Sequence, residues 1–376
     1  MVKTSLSSWF DRYFRYVNYI SAAQLYLKDN FFLERPLQPD DIKDRILGHW
    51  GTVPGLNFIY AHCNYLNSKY DVNMMLVIGP GHGAPAILAN LFAEGTLGEF
   101  YKNCSRDGEG MGQLIKLFSW PGGFPSHLNP GTPGSILEGG ELGYSLSTAF
   151  GAVLDNPDLI ATCVVGDGES ETGPLAAAWH GNKFLNPVTS GAVLPIIHVN
   201  GYKISGPTIL GTMSDEEITN LYSGYGYESR IVSGDHLHEK MMKTMEWAYA
   251  LIRSTQVKAR ASKKFLTKPK WPVIVLRSTK GWTGIKEIHG KKIEGSFRSH
   301  GIPLADPKTN PESLKLLQDW LKSYKISELV DKKGRPLAGI LEHVPKGDAR
   351  MGKNKHTFGG KMRKELKMPN PADYEI

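Results

Sequence analysis

The chain contains little cysteine and no long apolar run. Its 376 residues include three cysteines, Cys63, Cys104 and Cys163, which are far apart in the sequence. They form no CxxC pair and leave an odd number, so the sequence predicts neither a disulfide framework nor a thiolate metal site. No apolar run approaches the roughly 18 to 20 residues that a membrane span requires, and no cleavable leader is apparent. These absences argue against a secreted or membrane protein and predict a cytoplasmic location.

The positive charge is unevenly distributed. The formal net charge is +7, and much of it lies between Lys346 and Ile376, where Lys and Arg alternate with Gly, Pro and Asn. Such a composition is typical of a solvated linker. The sequence therefore predicts one domain over residues 1–345 and a basic linker or tail over 346–376. A functional basic arm is the less favoured alternative, because base-stacking aromatic residues are sparse there, and we expect no nucleic-acid partner.

Five apolar runs predict the strands of a parallel sheet. They are rich in Val, Ile and Leu without strict alternation, as expected when both faces of a sheet are covered. The runs are Met74–Gly79, Leu159–Val165, Leu194–Val199, Glu228–Val232 and Trp271–Arg277. Amphipathic segments lie between them. This alternation predicts a doubly wound, mostly parallel α/β sheet with helices on both faces.

Three segments between these runs carry helical signals. Apolar residues recur every three or four positions from Leu142 to Val153, which is the period of one helix face. Ser214 followed by Glu217 is typical of a capping box at the start of another helix. A further helix is expected after Glu171, with its free N–H groups directed toward a bound anion.

Glycine-rich loops with interspersed polar residues follow four of the predicted strands. These loops are Pro80–Gly83 (PGHG), Gly166–Glu169 (GDGE), Asn200–Lys203 (NGYK) and Ser278–Gly284 (STKGWTG). Ligands of open α/β sheets bind beyond the carboxyl ends of the strands, and glycine allows the backbone to approach a ligand closely. We therefore expect the four loops to form one site.

Asp167 and Asn200 have the chemistry of magnesium ligands within this predicted site. A carboxylate beside a bound anion would repel it, so a cation is required between them. Magnesium takes about six oxygen ligands, usually one or two of them from protein side chains. The amide of Asn200 supplies an oxygen without adding negative charge. The alternative is that Asp167 caps a turn and Asn200 ends a strand, since a motif as short as GDG has a high false-positive rate.

The spacing from GDG to Asn200 resembles the diphosphate-binding motif of thiamine diphosphate enzymes, and longer stretches resemble phosphoketolases. These stretches are Ser126–Val153, Gly166–Thr208 and Lys280–Gly284, and the similarity extends from about Tyr26 to Gly360. The resemblance implies a thiamine diphosphate-binding fold with thiamine diphosphate and Mg²⁺ as cofactors. It also implies cleavage of xylulose 5-phosphate, and often of fructose 6-phosphate, with inorganic phosphate to give acetyl phosphate and a shorter sugar phosphate.

The resemblance implies roles for individual residues. The metal ligands would be Asp167, Asn200 and the backbone carbonyl of Tyr202. The cofactor-binding residues would be Gly139, Gly140, Glu141, Leu142, Gly168, Glu169, Asn200 and His300. The catalytic residues would be His49, His82, His127, Lys280 and His300. Imidazole titrates near neutral pH and can carry protons, and a lysine supplies positive charge beside developing negative charge.

Each of these side chains also has a simpler structural interpretation. A single histidine in a loop is more often structural or exposed, but four in matching glycine- and proline-rich contexts favour a chemical role. His180, on a predicted helix interior, and His198, inside a predicted strand, are interpreted as structural. Glu171 is interpreted as a partner of a helix dipole without a catalytic role.

The sequence departs from the phosphoketolase pattern at three positions. Leu137 and Thr148 stand where the family has histidine, and Gly301 stands where many members have glutamine. The His300–Gly301 pair is closer to the pattern of transketolases. These departures bear on substrate preference more than on cofactor binding.

The resemblance covers the diphosphate-binding half of a phosphoketolase. Family members carry a second α/β domain that binds the aminopyrimidine ring and supplies the glutamate that activates the cofactor, and no such segment follows Gly360. We therefore expect the chain to be inactive alone and to form a homodimer or pair with a pyrimidine-binding domain, acting on a sugar phosphate and inorganic phosphate. The alternatives are a non-catalytic module for cofactor binding or dimerisation, and half of a split transketolase-type enzyme.

Overall fold

A computed structural model describes residues 5–262, 269–357 and 367–374. The α-helices in these ranges are α1 Leu6–Tyr26, α2 Val53–Tyr70, α3 Ala84–Glu94, α4 Leu97–Phe100, α5 Gly108–Leu117, α6 Ser145–Val153, α7 Gly173–Ala178, α8 Ile209–Thr212, α9 Asp215–Gly224, α10 Leu237–Ser262 and α11 Pro311–Ser323. The strands are β1 Met74–Ile78, β2 Ile160–Gly166, β3 Ala192–Val199, β4 Tyr227–Val232, β5 Trp271–Arg277, β6 Glu287–Ile288 and β7 Lys291–Lys292. Within these ranges, none of the helices has both the length and the apolar character needed to cross a bilayer.

The five longer strands form one sheet in the order β1–β2–β3–β5–β4, and every neighbouring pair is parallel. All residues of β1 and β3 are buried, so both faces of the sheet are covered there. The edge strand β4 differs, because residues in its middle are partly exposed. The five predicted strands and the doubly wound α/β fold are confirmed, with ends that differ by at most two residues.

The register of the strands brings four loops to one edge of the sheet. Gly166 at the end of β2 is paired with His198 near the end of β3, and Val199 is paired with Arg277 at the end of β5. Ile78 at the end of β1 is paired with Val164 of β2. Because all these strands are parallel, the segments that follow them emerge at the same carboxyl edge.

The helices predicted before Val153 and after Ser214 are present, and the start of the first differs from the prediction. α6 buries the apolar face that the sequence pattern predicted for it. Ser214 and Glu217 make both hydrogen bonds of the predicted capping box at the start of α9. The inclusion of Leu142 in the first pattern is wrong, because Gly143 has a φ of 111° that no helix contains. The helix therefore begins at Ser145, and Leu142 is exposed in the preceding loop.

Part of the predicted basic tail packs onto the domain. Met351 and Asn354 are buried, and the side-chain N–H of Asn354 donates to the backbone oxygen of Met74 at 2.9 Å. The prediction of a solvated linker is therefore wrong for residues 350–357, where this segment packs beside β1, whereas residues 346–348 are exposed. The predicted tail also includes residues 358–366 and 375–376, which lie outside the described residues.

A buried histidine pair predicts that the protein loses stability in mild acid. Nε2 of His62 lies 3.0 Å from Nδ1 of His238, and both rings stack on Phe10. Burial lowers the pKa of His238 to about 4 and that of His62 well below its ordinary value. The unfolded chain binds protons near pH 6.5 that the folded chain does not, so the free energy of unfolding decreases as the pH falls from about 6.5 toward 4.

We expect this pair to lower the free energy of unfolding by about 4 kcal/mol between pH 7.5 and pH 5.0, about 2 kcal/mol from each ring, as measured by urea denaturation. In His62→Phe the decrease should be smaller, because one of the two titrating rings is replaced by an apolar ring of similar size. His289→Gln is the matched control, since His289 is exposed and its removal should leave the pH dependence as it is. An equal pH dependence in His62→Phe and the unmodified protein would contradict this assignment.

Candidate cofactor and metal site

Three hydrogen bonds fix Asp167 directly after β2. Oδ2 accepts the backbone N–H of Gly201 at 2.7 Å and the hydroxyl of Thr208 at 3.0 Å, and Oδ1 accepts the N–H of Gly168 at 2.9 Å. Burial raises the pKa of Asp167, and these donors act in the opposite direction. A carboxylate has about four acceptor positions, so one position on Oδ1 is still free to bind a cation.

The oxygens of Asn200 and Tyr202 both contact the ammonium group of Lys280. Nζ of Lys280 donates to the backbone oxygen of Tyr202 at 2.7 Å and lies 3.4 Å from Oδ1 of Asn200. Lys280 is only 2% exposed, and burial lowers its pKa to about 8. Two oxygens predicted to bind a metal ion therefore already share a positively charged partner.

The donors at this edge of the sheet fit a magnesium ion. They are the carboxylate of Asp167, the amide oxygen of Asn200 and the backbone carbonyl of Tyr202, all hard oxygen ligands of the kind that Mg²⁺ takes. The ammonium of Lys280 indicates that the last two oxygens can together accept a cation. In the part of the chain that the structure describes, no group of three or more His, Cys, Asp or Glu side chains could hold a metal ion.

The loop of residues 139–142 packs tightly against the loop that follows β1. The N–H of Gly139 donates to the backbone oxygen of Leu128, and the N–H of Leu128 donates to the oxygen of Gly81, both at 2.9 Å. A Cβ atom on Gly81 would lie 2.2 Å from Cα of Gly139, so a side chain there would separate the two loops. The next three residues, each a predicted cofactor contact, are exposed: Gly140, Glu141 and Leu142.

Glu169 connects the loop after β2 to the start of α6. Its Oε1 accepts the hydroxyl of Ser145 at 2.7 Å and the N–H of Gly143 at 3.2 Å, and its Oε2 accepts the N–H of Gly166 at 3.2 Å. The side chain is 2% exposed. The carboxylate therefore positions the glycine-rich loops, and a contact with a diphosphate would have to come from the backbone of this segment.

Glu171 has a different role from the one predicted. It accepts the N–H of Ile209 at 2.7 Å and forms an ion pair with Lys203. α7 begins at Gly173 and is capped by the hydroxyl of Thr172. Glu171 was interpreted as a dipole partner of the helix that follows it, but its carboxylate instead binds the first N–H of α8 and Lys203 of the loop after β3.

The four predicted catalytic histidines lie together. The ring centroid of His49 is 5.1 Å from that of His82, 5.3 Å from that of His127 and 5.2 Å from that of His300. The His82 and His300 centroids are 5.1 Å apart. Nδ1 of His49 and Nδ1 of His300 are buried and have no hydrogen-bond partner within the described residues. These two nitrogens are therefore available to a ligand.

Three histidines of this cluster, His49, His82 and His300, are neutral at neutral pH. Burial lowers the pKa of His49 and of His300 to about 4, and it lowers that of His82 well below its ordinary value. The positive charge of Lys280 acts in the same direction on all three. Neutral imidazoles can accept protons, which is the property that general base catalysis requires. Lys280 thus lies within electrostatic range of both the oxygen donors and the histidine cluster.

The sequence matches a known family along almost all of its length. A model of the XFP N-terminal domain matches residues 2–362. The chain belongs to this family. A probable phosphoketolase of Bradyrhizobium diazoefficiens is 54% identical over 369 residues, and one of Nitrosospira multiformis is 53% identical over 376 residues. Each match covers 97% of this chain but 46% and 47% of the relative, so the chain spans about half the length of the curated relatives it matches.

Solved transketolases share the fold of this XFP N-terminal domain. One from Campylobacter jejuni aligns with a TM-score of 0.58 and 18% identity, covering 95% of this chain and 48% of that chain. A mutant transketolase from Pichia stipitis aligns with a TM-score of 0.55 and 16% identity, and the alignment covers 94% of this chain and 44% of that chain. At this level of identity the likeness establishes the fold alone, and it agrees with the predicted α/β class.

Sequence motifs did not identify every residue that shapes the site of this XFP N-terminal domain. Thr208 has no motif signal beyond its place in the loop after β3. His198 is buried, as predicted, and connects Thr52 at 3.2 Å to Ser278 at 2.8 Å, which joins the start of α2 to the loop after β5. His180 was predicted on a helix interior, which is wrong, because it is exposed on a 3₁₀ turn.

A cavity of about 1040 Å³ extends from Asn200 along the β5–β4 part of the same edge. Its walls come from the ends of three strands and from the start of two helices, with Val199, Ser233, Arg277, Phe10 and His238 among the lining residues. None of the four clustered histidines lines it. The histidine cluster of the XFP N-terminal domain therefore lies outside this cavity.

Proposed function

We propose that this chain is the thiamine diphosphate- and Mg²⁺-binding half of a phosphoketolase, a carbon–carbon lyase. The whole enzyme would cleave xylulose 5-phosphate, and fructose 6-phosphate as a further substrate, with inorganic phosphate to acetyl phosphate and an aldose phosphate. The family membership and the probable phosphoketolases that match the chain support the reaction class. A cytoplasmic location accords with this metabolism.

The observation that carries the proposal is the arrangement of oxygen donors beside the histidine cluster. Asp167, Asn200 and the carbonyl of Tyr202 would bind Mg²⁺, and the remaining metal positions would take diphosphate oxygens and water. Gly201 has a φ of 89°, and a Cβ there would meet nothing within 4 Å. The backbone at this turn is therefore open to a diphosphate.

Histidine side chains of this chain would transfer protons, and a lysine side chain would stabilise negative charge. Bound thiamine diphosphate supplies the carbon nucleophile needed to cleave a bond next to a carbonyl. Nδ1 of His49 and Nδ1 of His300 would accept a proton from a sugar hydroxyl and return one where a hydroxyl leaves as water. The ammonium of Lys280 would stabilise negative charge that develops on the substrate.

Exposed apolar side chains around the site support a partner domain. Leu142 and Tyr144 precede α6, Ile204 lies in the loop after β3, and Ile209 begins α8. Ile204 is 72% exposed and Ile209 is 60% exposed. Exposed apolar groups that surround a site are typical of an interface, so we propose that a pyrimidine-binding domain covers them, in a homodimer of the whole enzyme or as a separate chain.

We expect the purified chain to form no acetyl phosphate from xylulose 5-phosphate and phosphate, because the acid that activates the cofactor is expected in the half of the relatives that this chain does not match. Addition of a chain comprising the remaining half of the Bradyrhizobium diazoefficiens relative should restore acetyl phosphate formation. Calorimetric titration of thiamine diphosphate with Mg²⁺, with and without that partner, measures binding in the same samples.

The outcomes separate this proposal from its alternatives. Acetyl phosphate formation by the chain alone would contradict the expected incompleteness. Sugar transfer without phosphate consumption would indicate a transketolase-type enzyme. Binding of the cofactor with no turnover, even with the partner present, would indicate a non-catalytic module.

A further inference from the structure

We propose that Lys280 acts as an internal cation of the metal site, and that a divalent ion must displace its ammonium group to bind Asn200 and Tyr202. The inference rests on the proposed function, because it takes these two residues as metal ligands. It adds a competition between a side chain of the protein and the metal ion for the same oxygens.

The geometry of the two oxygens allows one cation at a time. Nζ of Lys280 lies 2.7 Å from the oxygen of Tyr202 and 3.4 Å from Oδ1 of Asn200. Mg²⁺ binds oxygen at about 2.0–2.1 Å. An ion at that distance from the Tyr202 oxygen could be at most about 4.8 Å from the ammonium nitrogen, which is the sum of about 2.1 Å and 2.7 Å. Two positive charges so close together repel strongly, so the lysine must move away when the ion binds.

The position of Lys280 is built into the fold. Its side chain is 2% exposed, and its Cε would lie 2.9 Å from a Cβ on Gly51. The N–H of Gly281 donates to the oxygen of Gly51 at 2.8 Å, which holds the backbone beside Lys280 against the segment that carries His49. The lysine therefore approaches the two oxygens from the side of the histidine cluster.

Displacement of the ammonium group would link metal loading to the histidines. The charge of Lys280 already acts on His49, His82 and His300. Because the aliphatic part of the side chain is packed against Gly51, an ammonium group that leaves Asn200 and Tyr202 stays between the metal ligands and the cluster. Binding of the ion would thus move one positive charge from the metal ligands toward the groups proposed to transfer protons.

The test is the affinity for Mn²⁺ alone, measured from the electron paramagnetic resonance signal of the free ion. Lys280→Met keeps the length of the side chain and removes the charge. We expect Lys280→Met to bind Mn²⁺ at least about tenfold more tightly than the unmodified chain, because no charge-assisted hydrogen bond has to be broken first.

Lys203→Met is the matched control. Lys203 lies on the same loop as Tyr202, but its ammonium is paired with Glu171 and its side chain is 46% exposed. The substitution removes the same charge without freeing the oxygen of Asn200 or of Tyr202. We therefore expect Mn²⁺ affinity to change by less than about threefold, which is the effect expected of a screened surface charge. Circular dichroism of both variants checks that the fold is retained.

A second measurement uses the unmodified chain. An amine-reactive reagent and peptide mass spectrometry report how readily each lysine is modified. Labelling of Lys280 should rise with Mn²⁺ concentration and reach half its maximum at the Mn²⁺ concentration that half-saturates the site, while labelling of Lys203 stays constant.

Three results would overturn the inference while leaving the metal site in place. They are unchanged or weaker Mn²⁺ binding in Lys280→Met, an equal gain in Lys203→Met, and constant Lys280 labelling at saturating Mn²⁺. If neither the unmodified chain nor Lys280→Met binds Mn²⁺ at millimolar concentration, the proposed metal site itself fails, and the inference fails with it.

Discussion

Asp167→Ala is expected to abolish the binding of thiamine diphosphate with Mg²⁺, with a loss of at least about a hundredfold in affinity. The substitution removes the carboxylate among the proposed metal ligands. It also leaves the N–H groups of Gly168 and Gly201 and the hydroxyl of Thr208 without their acceptor. Calorimetric titration measures the affinity, and circular dichroism shows whether the fold is retained.

Thr208→Val is the control for this prediction. It removes one of the three hydrogen bonds to Asp167 but leaves the carboxylate, so affinity should fall by no more than about tenfold. Equal losses in the two variants would mean that Asp167 acts by ordering the loop. Unchanged affinity in Asp167→Ala would contradict its assignment as a metal ligand.

Gly81→Ala is expected to abolish cofactor binding and to lower the free energy of unfolding by about 3 kcal/mol. The new Cβ would lie 2.2 Å from Cα of Gly139 and 2.5 Å from its backbone oxygen. Backbone atoms cannot move aside by changing a rotamer, so the loop that carries His82 and the loop of residues 139–142 must separate. Urea denaturation measures the stability and calorimetry measures the binding.

Gly151→Ala provides the matched glycine substitution. Gly151 lies within α6, and a Cβ there would meet nothing within 4 Å. Alanine should raise the free energy of unfolding by about 0.5–1 kcal/mol, because it restricts the unfolded chain and favours the helix. Cofactor binding should be the same as in the unmodified chain. Full stability and full binding in Gly81→Ala would show that the two loops do not need to pack this closely.

The sequence predicted the sheet because its signals are local and repetitive. Four of the five strands are near-continuous apolar runs that end in a glycine-rich loop, so order along the chain was enough to place these loops on one edge. The pairing of Gly166 with His198 then brings Asp167 close to the end of β3, where Asn200 follows. The helix of the capping box at Ser214 was predicted for the same reason, since both partners lie within one turn.

The features that the sequence did not predict depend on contacts between distant segments. The position of the Lys280 ammonium depends on Asn200 and Tyr202, about eighty residues earlier, and no pattern near Lys280 encodes it. The tail composition indicated a solvated linker, yet Met351 and Asn354 fill a gap beside β1 that exists only in the folded sheet. Leu142 fitted the helical period, but the positive φ of Gly143 keeps Leu142 outside the helix, which begins at Ser145.

The parallel pairing of β2 with β3 determines when the proposed ion site can form. Asp167 and Asn200 are separated by a crossover that contains α7, and neither faces the other until that crossover has docked and both strands have joined the sheet. Long-range parallel pairing of this kind is formed late in folding. During synthesis, then, magnesium could not act as a template for this domain, in contrast to zinc in small metal-nucleated folds. Magnesium would bind only chains whose sheet has already formed, and it would stabilise those chains.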